Sequence, residues 1–476
     1  MSSAPTDTIV AIATAPGVGG IAVLRVSGPG AHAIAQSDFR PKGRADFEGS
    51  LEEGAFAKTV GRATYGHWYA HEGGVGRPAL DDVVLTAYAA PNSYTGEDTV
   101  EISCHGSRYL QERLLAECIL AGARLAGPGE FTERAFLNGR LDLTQAEAVG
   151  DLIAAETSAA HRLAATQLRG GLRDSMGALR QNLVDFAALI ELENDFGEED
   201  VSFAERPKLL ATVEQMRARI KELVDSFARG RAIREGVTVV LAGRPNAGKS
   251  TLLNALLQED RAIVSATAGT TRDTIDAEIE LQGVRFRLTD TAGIRAATDE
   301  IEAMGVERTR AAIARSALVV YVWDVVSTSP EEVAADVAEM GSGGATVMGV
   351  ANKMDRNPYT KREHYAAAGI PPEDIVPMVA SEGMNLQLLR ERLYELGVGR
   401  HAAAGDVILT RRRHVEALAA ADEALGRVAE GLRAELSGDL VALDLRQALH
   451  FVGEVTGEVS VDDLLESIFS NFCIGK

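Results

Sequence analysis

Cysteine is scarce: three residues in 476, at Cys104, Cys118 and Cys473. Their spacing fits neither a zinc site nor the paired framework of a secreted scaffold, which points to a reducing compartment. Basic charge is in deficit too. The chain has 48 Lys and Arg against 69 Asp and Glu, a formal net charge of −21. A broad basic surface is therefore excluded, and any nucleic-acid contact is a local patch or is shared with a partner. Long apolar runs are missing, since no stretch reaches the length of a membrane span. The first residues include Asp7 and no basic segment followed by an apolar one, so neither a signal peptide nor a transit peptide is predicted. These absences predict a cytoplasmic protein with no membrane part. What is present is ordinary for a globular chain, 46% hydrophobic and 25% charged, and long enough for roughly three domains.

The most specific string is Gly243–Ser250, GRPNAGKS. It fits the phosphate-loop pattern G-x-x-x-x-G-K-[ST]. The β-branched run 237–242 before it reads as a buried strand, and Thr251–Leu257 after it reads as a helix. Glycines at this junction let Asn246, Ala247 and Gly248 turn their N–H groups onto phosphates, at a helix N-terminus whose dipole favours negative charge. Lys249 is expected to reach the β- and γ-phosphates and the Ser250 hydroxyl to ligate Mg²⁺.

Four further elements follow in GTPase order. Gly269–Asp273 supplies Thr271 to complete a Mg²⁺ shell when a γ-phosphate is present. Asp290, Thr291, Ala292 and Gly293 form a D-T-A-G string after the alternating strand 284–289; its Asp lies near the metal and the Gly293 N–H senses the γ-phosphate. Apolar runs at 318–323 and 346–351 read as buried strands. The second delivers Asn352, Lys353, Met354 and Asp355, and Asp355 accepts from guanine N1 and N2 in a bidentate match that adenine cannot make. The nucleotide is therefore GTP. The last base loop carries Val379, Ala380 and Ser381, with the Ala380 N–H in reach of the guanine oxygen. Strands alternating with helices imply a doubly wound sheet with nucleotide at its strand C-termini. The residue after the D-T-A-G string is Ile294, so no glutamine stands there to orient the attacking water.

Outside this module the patterns differ. Residues 1–127 read as α+β, with strands at 8–13, 21–26, 63–69, 82–89 and 99–103 and a helix at 109–121. Arg25 and Glu101 each interrupt an apolar strand, either as outward-facing residues or as a polar pair in a small-molecule pocket. From about 150 the apolar period becomes 3.5. Leu172, Met176, Leu179, Leu183, Phe186 and Ile190 make one stripe, and Leu209, Val213, Met216, Ile220, Leu223 and Phe227 another. Helical patterning returns after 400 with Val415, Leu418, Leu425, Val428 and Leu432. Helical blocks at 128–229 and 401–476 flanking a nucleotide module at 230–400 predict a bundle interrupted by an insertion. The acidic run 191–200 is expected to be a solvated loop.

Three strings carry a resemblance that covers almost the whole chain: residues 127–148, GPGEFTERAFLNGRLDLTQAEA; residues 91–97, PNSYTGE; and the terminal CIGK at 473–476. They are similar to the MnmE (TrmE) family of tRNA-modification GTPases. The resemblance implies an N-terminal domain that binds a tetrahydrofolate derivative, 5-formyl- or 5,10-methylene-tetrahydrofolate, and forms the homodimer. By position the folate contacts would be Arg25, Glu101, Arg140 and Lys476, with Cys473 near the chemistry. It further implies that G domains meet across a K⁺ ion held by Asn246, Ser265, Thr267 and Thr270, and that Glu302 positions the water. An FAD-containing partner, MnmG (GidA), would act with it on the wobble uridine of certain tRNAs. Two other classes stay open at this point, a ribosome-assembly switch and a stand-alone folate aminomethyltransferase with a regulatory G domain.

Overall fold

The computed structural model describes residues 7–42, 60–71, 79–195, 206–259, 276–290, 313–314, 316–341, 345–399, 407–459, 462–470 and 472–475. The chain forms two compact units, one of Met1–Ile153, Gln167–Asp185 and Leu449–Lys476, the other of Ala154–Thr166 and Phe186–Ala448. Among the described residues no helix is long and apolar enough to cross a membrane.

The first unit holds β1 (Ile9–Ile12), β2 (Ile21–Ser27), α1 (Ala31–Asp38), β3 (Phe39–Pro41), β4 (Ala63–Tyr69), β5 (Ala79–Tyr88), β6 (Thr99–His105), α2 (Arg108–Leu120), β7 (Arg124–Leu125), α3 (Glu130–Leu137) and α4 (Leu143–Ala154). Its sheet has the order β3-β4-β5-β6-β2-β1-β7. Alternation decides which side is core. Ala22, Leu24 and Val26 of β2, Val83, Leu85 and Ala87 of β5, and Val100, Ile102 and Cys104 of β6 pack with Trp68 and Phe39. The intervening residues, Arg25 and Glu101 among them, therefore share the opposite face. That face lines a cavity with Tyr88, Thr99 and Glu101.

The helices continue as α5 (Ser158–Leu168), α6 (Gly171–Asp195), α7 (Arg206–Asp225) and α8 (Phe227–Glu235). The first stripe is fully buried on α6, from Leu172 at 1% to Ile190 at 3% exposure, each side chain contributing about 1.5–3 kcal/mol relative to exposure. The second differs at its end. There α7 closes at Asp225, and Phe227 opens α8 instead of extending the α7 stripe.

The nucleotide module comprises β8 (Val237–Ala242), α9 (Lys249–Glu259), β9 (Asp276–Leu281), β10 (Val284–Asp290), β11 (Leu318–Asp324), α10 (Pro330–Gly341), β12 (Thr346–Asn352), β13 (Ile375–Pro377) and α11 (Leu386–Val398), followed by α12 (Arg412–Arg433), α13 (Gly438–Thr456) and α14 (Asp462–Phe469). Its sheet runs β13-β12-β11-β8-β10-β9, parallel except for β9. β11 is buried at every position, which is why it reads as a continuous apolar run without alternation. The order reverses at β8, so the loop leaving β8 lies at the switch point where α/β sheets bind ligands. Helix α7 packs against α12 from beyond the insertion, with Arg217 Nε donating to Asp422 Oδ1 at 2.9 Å. This is the interrupted bundle that the flanking stripes predict.

Candidate functional site

The loop from β8 to α9 is held by backbone geometry first. Gly243 has φ 144° and a Cβ there would stand 2.1 Å from the Val322 carbonyl oxygen; Gly248 has φ 102° and a Cβ there would meet Asn352 Nδ2 at 2.2 Å. No side chain fits at either position. Asn246 between them is left-handed, φ 61°. Lys249 is buried, and its ammonium donates to the Gly243 and Arg244 carbonyls at 2.8 and 3.0 Å. A cation is thus stored at the mouth of a loop whose next residues, Ser250 and Thr251, begin the exposed first turn of α9.

Residues of the Asn352–Asp355 string brace the same loop. Asn352, 3% exposed, donates through Nδ2 to the Ala247 carbonyl at 2.8 Å and accepts at Oδ1 from the Ala380 N–H at 3.0 Å. Lys353 Nζ donates to the Asn246 carbonyl at 2.7 Å and to Asp324 Oδ2 at 2.8 Å. Burial pushes the Asp324 carboxyl up, but Lys353 and the Val326 N–H outweigh it and hold the group below its ordinary value. Asp355 is exposed in the following turn. The Ala380 amide is engaged with Asn352, so a guanine oxygen would share that donor or take it in exchange. The Val379 loop is closed by an antiparallel bridge to Met384 and by the Glu382 N–H on the Val379 carbonyl at 3.0 Å.

One brace has no signature in the sequence. Arg244 Nε donates to Asp336 Oδ2 at 2.8 Å and Nη1 to Glu332, both on α10, while the Tyr321 hydroxyl also donates to Asp336. Burial and that carboxylate together push the Tyr321 phenol well up. The second residue of the phosphate loop is thereby fastened to α10 and, through Asp336, to β11.

Other expected members of the site stand as follows. Asp290 closes β10 in register with Leu241 of β8, two residues before Gly243 opens the loop. Ser265, Thr267, Thr270, Thr271, Thr291, Ala292, Gly293, Ile294 and Glu302 lie outside the described residues, as does Lys476.

In the first unit Arg25 and Glu101 are register partners on β2 and β6 and form an ion pair, Nη2 to Oε1, at 2.8 Å. The guanidinium also lies 4.8 Å from the Tyr94 ring and 5.7 Å from Phe131. Glu101 and Arg140 line one cavity of about 330 Å³ with Tyr88, Asn92, Ser93, Tyr94 and Thr99. Of the two strand charges, Glu101 lines the cavity, and Arg25 is held to it by the ion pair.

The tail returns to this unit. Ile474 bridges Pro128, the Gly129 N–H donates to the Cys473 carbonyl at 3.4 Å, and Gly475 passes so close to the Ile12 carbonyl that a Cβ would stand 2.3 Å from it. Of the three thiols, burial pushes Cys104 up to about 11 and Cys118 further; Cys473 alone is exposed.

The same sequence features extend to known proteins. The model of the GTP-binding protein TrmE N-terminus matches residues 8–140, and that of the MnmE helical domain matches 143–473. The tRNA modification GTPase MnmE of Cytophaga hutchinsonii is 44% identical over 472 residues, 99% of this chain and 98% of that protein. Its namesakes in Christiangramia forsetii and Salinibacter ruber are 43% and 42% identical, each alignment covering 99% of both chains. Among solved structures, the G domain of the T. maritima FeoB iron transporter is 24% identical and covers 34% of this chain and 98% of its own, with a TM-score of 0.26. With both family models matched in sequence and full-length relatives above 40% identity, the chain belongs to the MnmE family of tRNA modification GTPases.

Proposed function

We propose that the protein is a cytoplasmic, dimeric, K⁺-dependent GTPase which, with the FAD-containing partner MnmG, installs an aminomethyl-type group, of the carboxymethylaminomethyl kind, at C5 of the wobble uridine of certain tRNAs, its carbon coming from a folate. The observation that carries the nucleotide part is the double brace of Asn352 and Lys353 on the phosphate loop, with Asp355 next in chain. Base recognition and phosphate binding are then parts of one rigid object, so guanine in its place sets the loop for the phosphates. Lys249 exchanges its two loop carbonyls for β- and γ-phosphate oxygens, and the amides at the start of α9 complete the cradle.

Mg²⁺ would be held by the Ser250 hydroxyl and Thr271, with Asp290 nearby; these are hard oxygen donors. K⁺ would be held by Asn246, whose carbonyl already serves Lys353 and whose side-chain oxygen is the one offered, with Ser265, Thr267 and Thr270. Such a cation neutralises charge that develops on the phosphates. Glu302 orients the attacking water, since Ile294 cannot. A tetrahydrofolate derivative would be held at the polar cavity lined by Glu101, Arg140, Tyr88 and Tyr94, with Arg25, Cys473 and Lys476 as the further contacts that the family resemblance implies. The acidic overall charge suits a division in which the partner carries much of the tRNA affinity. GTP hydrolysis drives domain closure rather than the carbon chemistry.

The test is complementation. In a deletion strain, nucleoside analysis of bulk tRNA recovers the modified wobble uridine with the intact chain and not with Lys249→Ala. A deletion strain that keeps its full wobble-uridine modification removes the proposal.

A further inference from the structure

The N-terminal cavity has two walls. One is the turn 91–97, which brings Asn92, Ser93 and Tyr94; the other is the turn after α3, which brings Arg140. Both walls close on a side chain that touches neither the cavity nor solvent. Arg134 is 0% exposed. Its Nη1 donates to the Asp7 carbonyl at 2.8 Å and to Glu97 Oε1 at 3.2 Å, and its Nη2 to Asp7 Oδ1 at 2.7 Å and Glu130 Oε1 at 2.9 Å. Glu97 in turn accepts from Ser27 Oγ at 2.7 Å, which ties the turn to β2, and the Ser27, Thr95 and Thr99 hydroxyls are interlinked and buried. Asn138, at the end of α3, adds a bond from Nδ2 to the Thr95 carbonyl at 2.8 Å.

We propose that Arg134 is the positioning residue of this site, a buried planar fork that fixes the turn 91–97, the N-terminal strand and α3 at the separation the folate ligand needs. The proposal rests on the folate reading of the cavity. A guanidinium presents its donors in one rigid plane, so three carboxylates around it are held at set angles; an ammonium supplies the same charge from a single point and sets no such angles. As a pure stabiliser Arg134 is a poor choice, because its Nε is buried with no hydrogen-bond partner. Its reach also extends to the tail. Pro128 and Gly129, which receive Ile474 and Cys473, directly precede α3, so the helix that Arg134 anchors carries the seat of the C-terminal residues.

The experiment uses the full-length protein with Arg134→Lys and Glu97→Gln, melting temperature serving as the control for folding. Amide hydrogen exchange reads the walls directly, and 5-formyl-tetrahydrofolate titration reads the ligand. Arg134→Lys is expected to raise exchange at least about tenfold in both 92–97 and 472–475 and to weaken folate binding by a similar factor. Glu97→Gln is expected to raise exchange in 92–97 and not in 472–475. A folded Arg134→Lys protein with wild-type exchange in both segments overturns the proposal, whatever the folate result. If the wild type takes up no folate while Arg134→Lys loosens both segments, the positioning stands and the ligand assignment falls.

Discussion

Arg25 and Glu101 stand directly opposite each other on β2 and β6, and two guanidinium nitrogens, Nε and Nη2, converge on the same carboxylate oxygen, Oε1, at 3.0 and 2.8 Å. Neither bond uses Oε2. Such a pair orients one carboxylate firmly and offers its second oxygen as an acceptor beside Arg140. The expected outcome is that Glu101→Gln lowers 5-formyl-tetrahydrofolate affinity by about tenfold, the loss of one charge-assisted bond, with little change in melting temperature because the pair is only half-buried. Calorimetric titration checks it; wild-type affinity in this variant would remove Glu101 from the ligand contacts.

Arg244 ties the phosphate loop to α10, yet its side chain is well exposed. Exposed pairs contribute roughly 0.2–1 kcal/mol each. Arg244→Ala is therefore expected to raise the KM for GTP by roughly three- to tenfold while leaving kcat within twofold, and Arg244→Lys to recover part of the loss. A large fall in kcat at unchanged KM contradicts a positioning role.

Glu302→Ala is expected to bind GTP as the wild type does and to lose turnover. Fluorescent-nucleotide binding and single-turnover hydrolysis separate the two. Near-normal single-turnover hydrolysis would show that another group orients the water.

The Arg134 cluster makes acid stability predictable in sign. Hydrogen bonding from Arg124 holds the Asp7 carboxyl below its ordinary value; for Glu130, burial pushes upward, but Arg124, the Gly127 N–H and Arg134 outweigh it. Values lower in the folded state than in the unfolded one mean that the stabilisation is complete above the unfolded carboxylate range, about 4, and is lost as pH falls through the folded values. The melting temperature is expected to be flat from pH 7 to 5 and to fall steeply below about 4. Arg134→Met, which leaves Glu97 without its cation and Asp7 and Glu130 with Arg124 alone, is expected to destabilise the domain by about 3 kcal/mol at pH 7. A melting temperature independent of pH down to 3 would contradict the account.

Much of this was legible in the sequence because it depends on local order. The phosphate loop, the strand before it and the N-K-M-D string are contiguous, and the α6 stripe follows its 3.5-residue period through every member. The strand charges Arg25 and Glu101 were visible as a conflict with their apolar neighbours, though only register showed that they pair with each other. Arg134 was not legible. It sits four residues from Glu130 in a helix that looks like an ordinary charged surface, and its burial follows from Asp7 and Glu97, which are 127 and 37 residues away. Arg244 was hidden for the same reason, since its partners lie on α10. The division between α7 and α8 at Ser226 escaped the heptad pattern, because Phe227 keeps the apolar spacing of the α7 stripe across it.

The central claim is that Asn246, left-handed and pinned by Lys353, presents a ligand to a K⁺ ion on which hydrolysis depends. GTP turnover of the purified protein in KCl and in NaCl at equal ionic strength tests it most directly. The account predicts strong stimulation by K⁺ alone, abolished in Asn246→Ala. Equal rates in the two salts would leave the GTPase standing and contradict the cation mechanism.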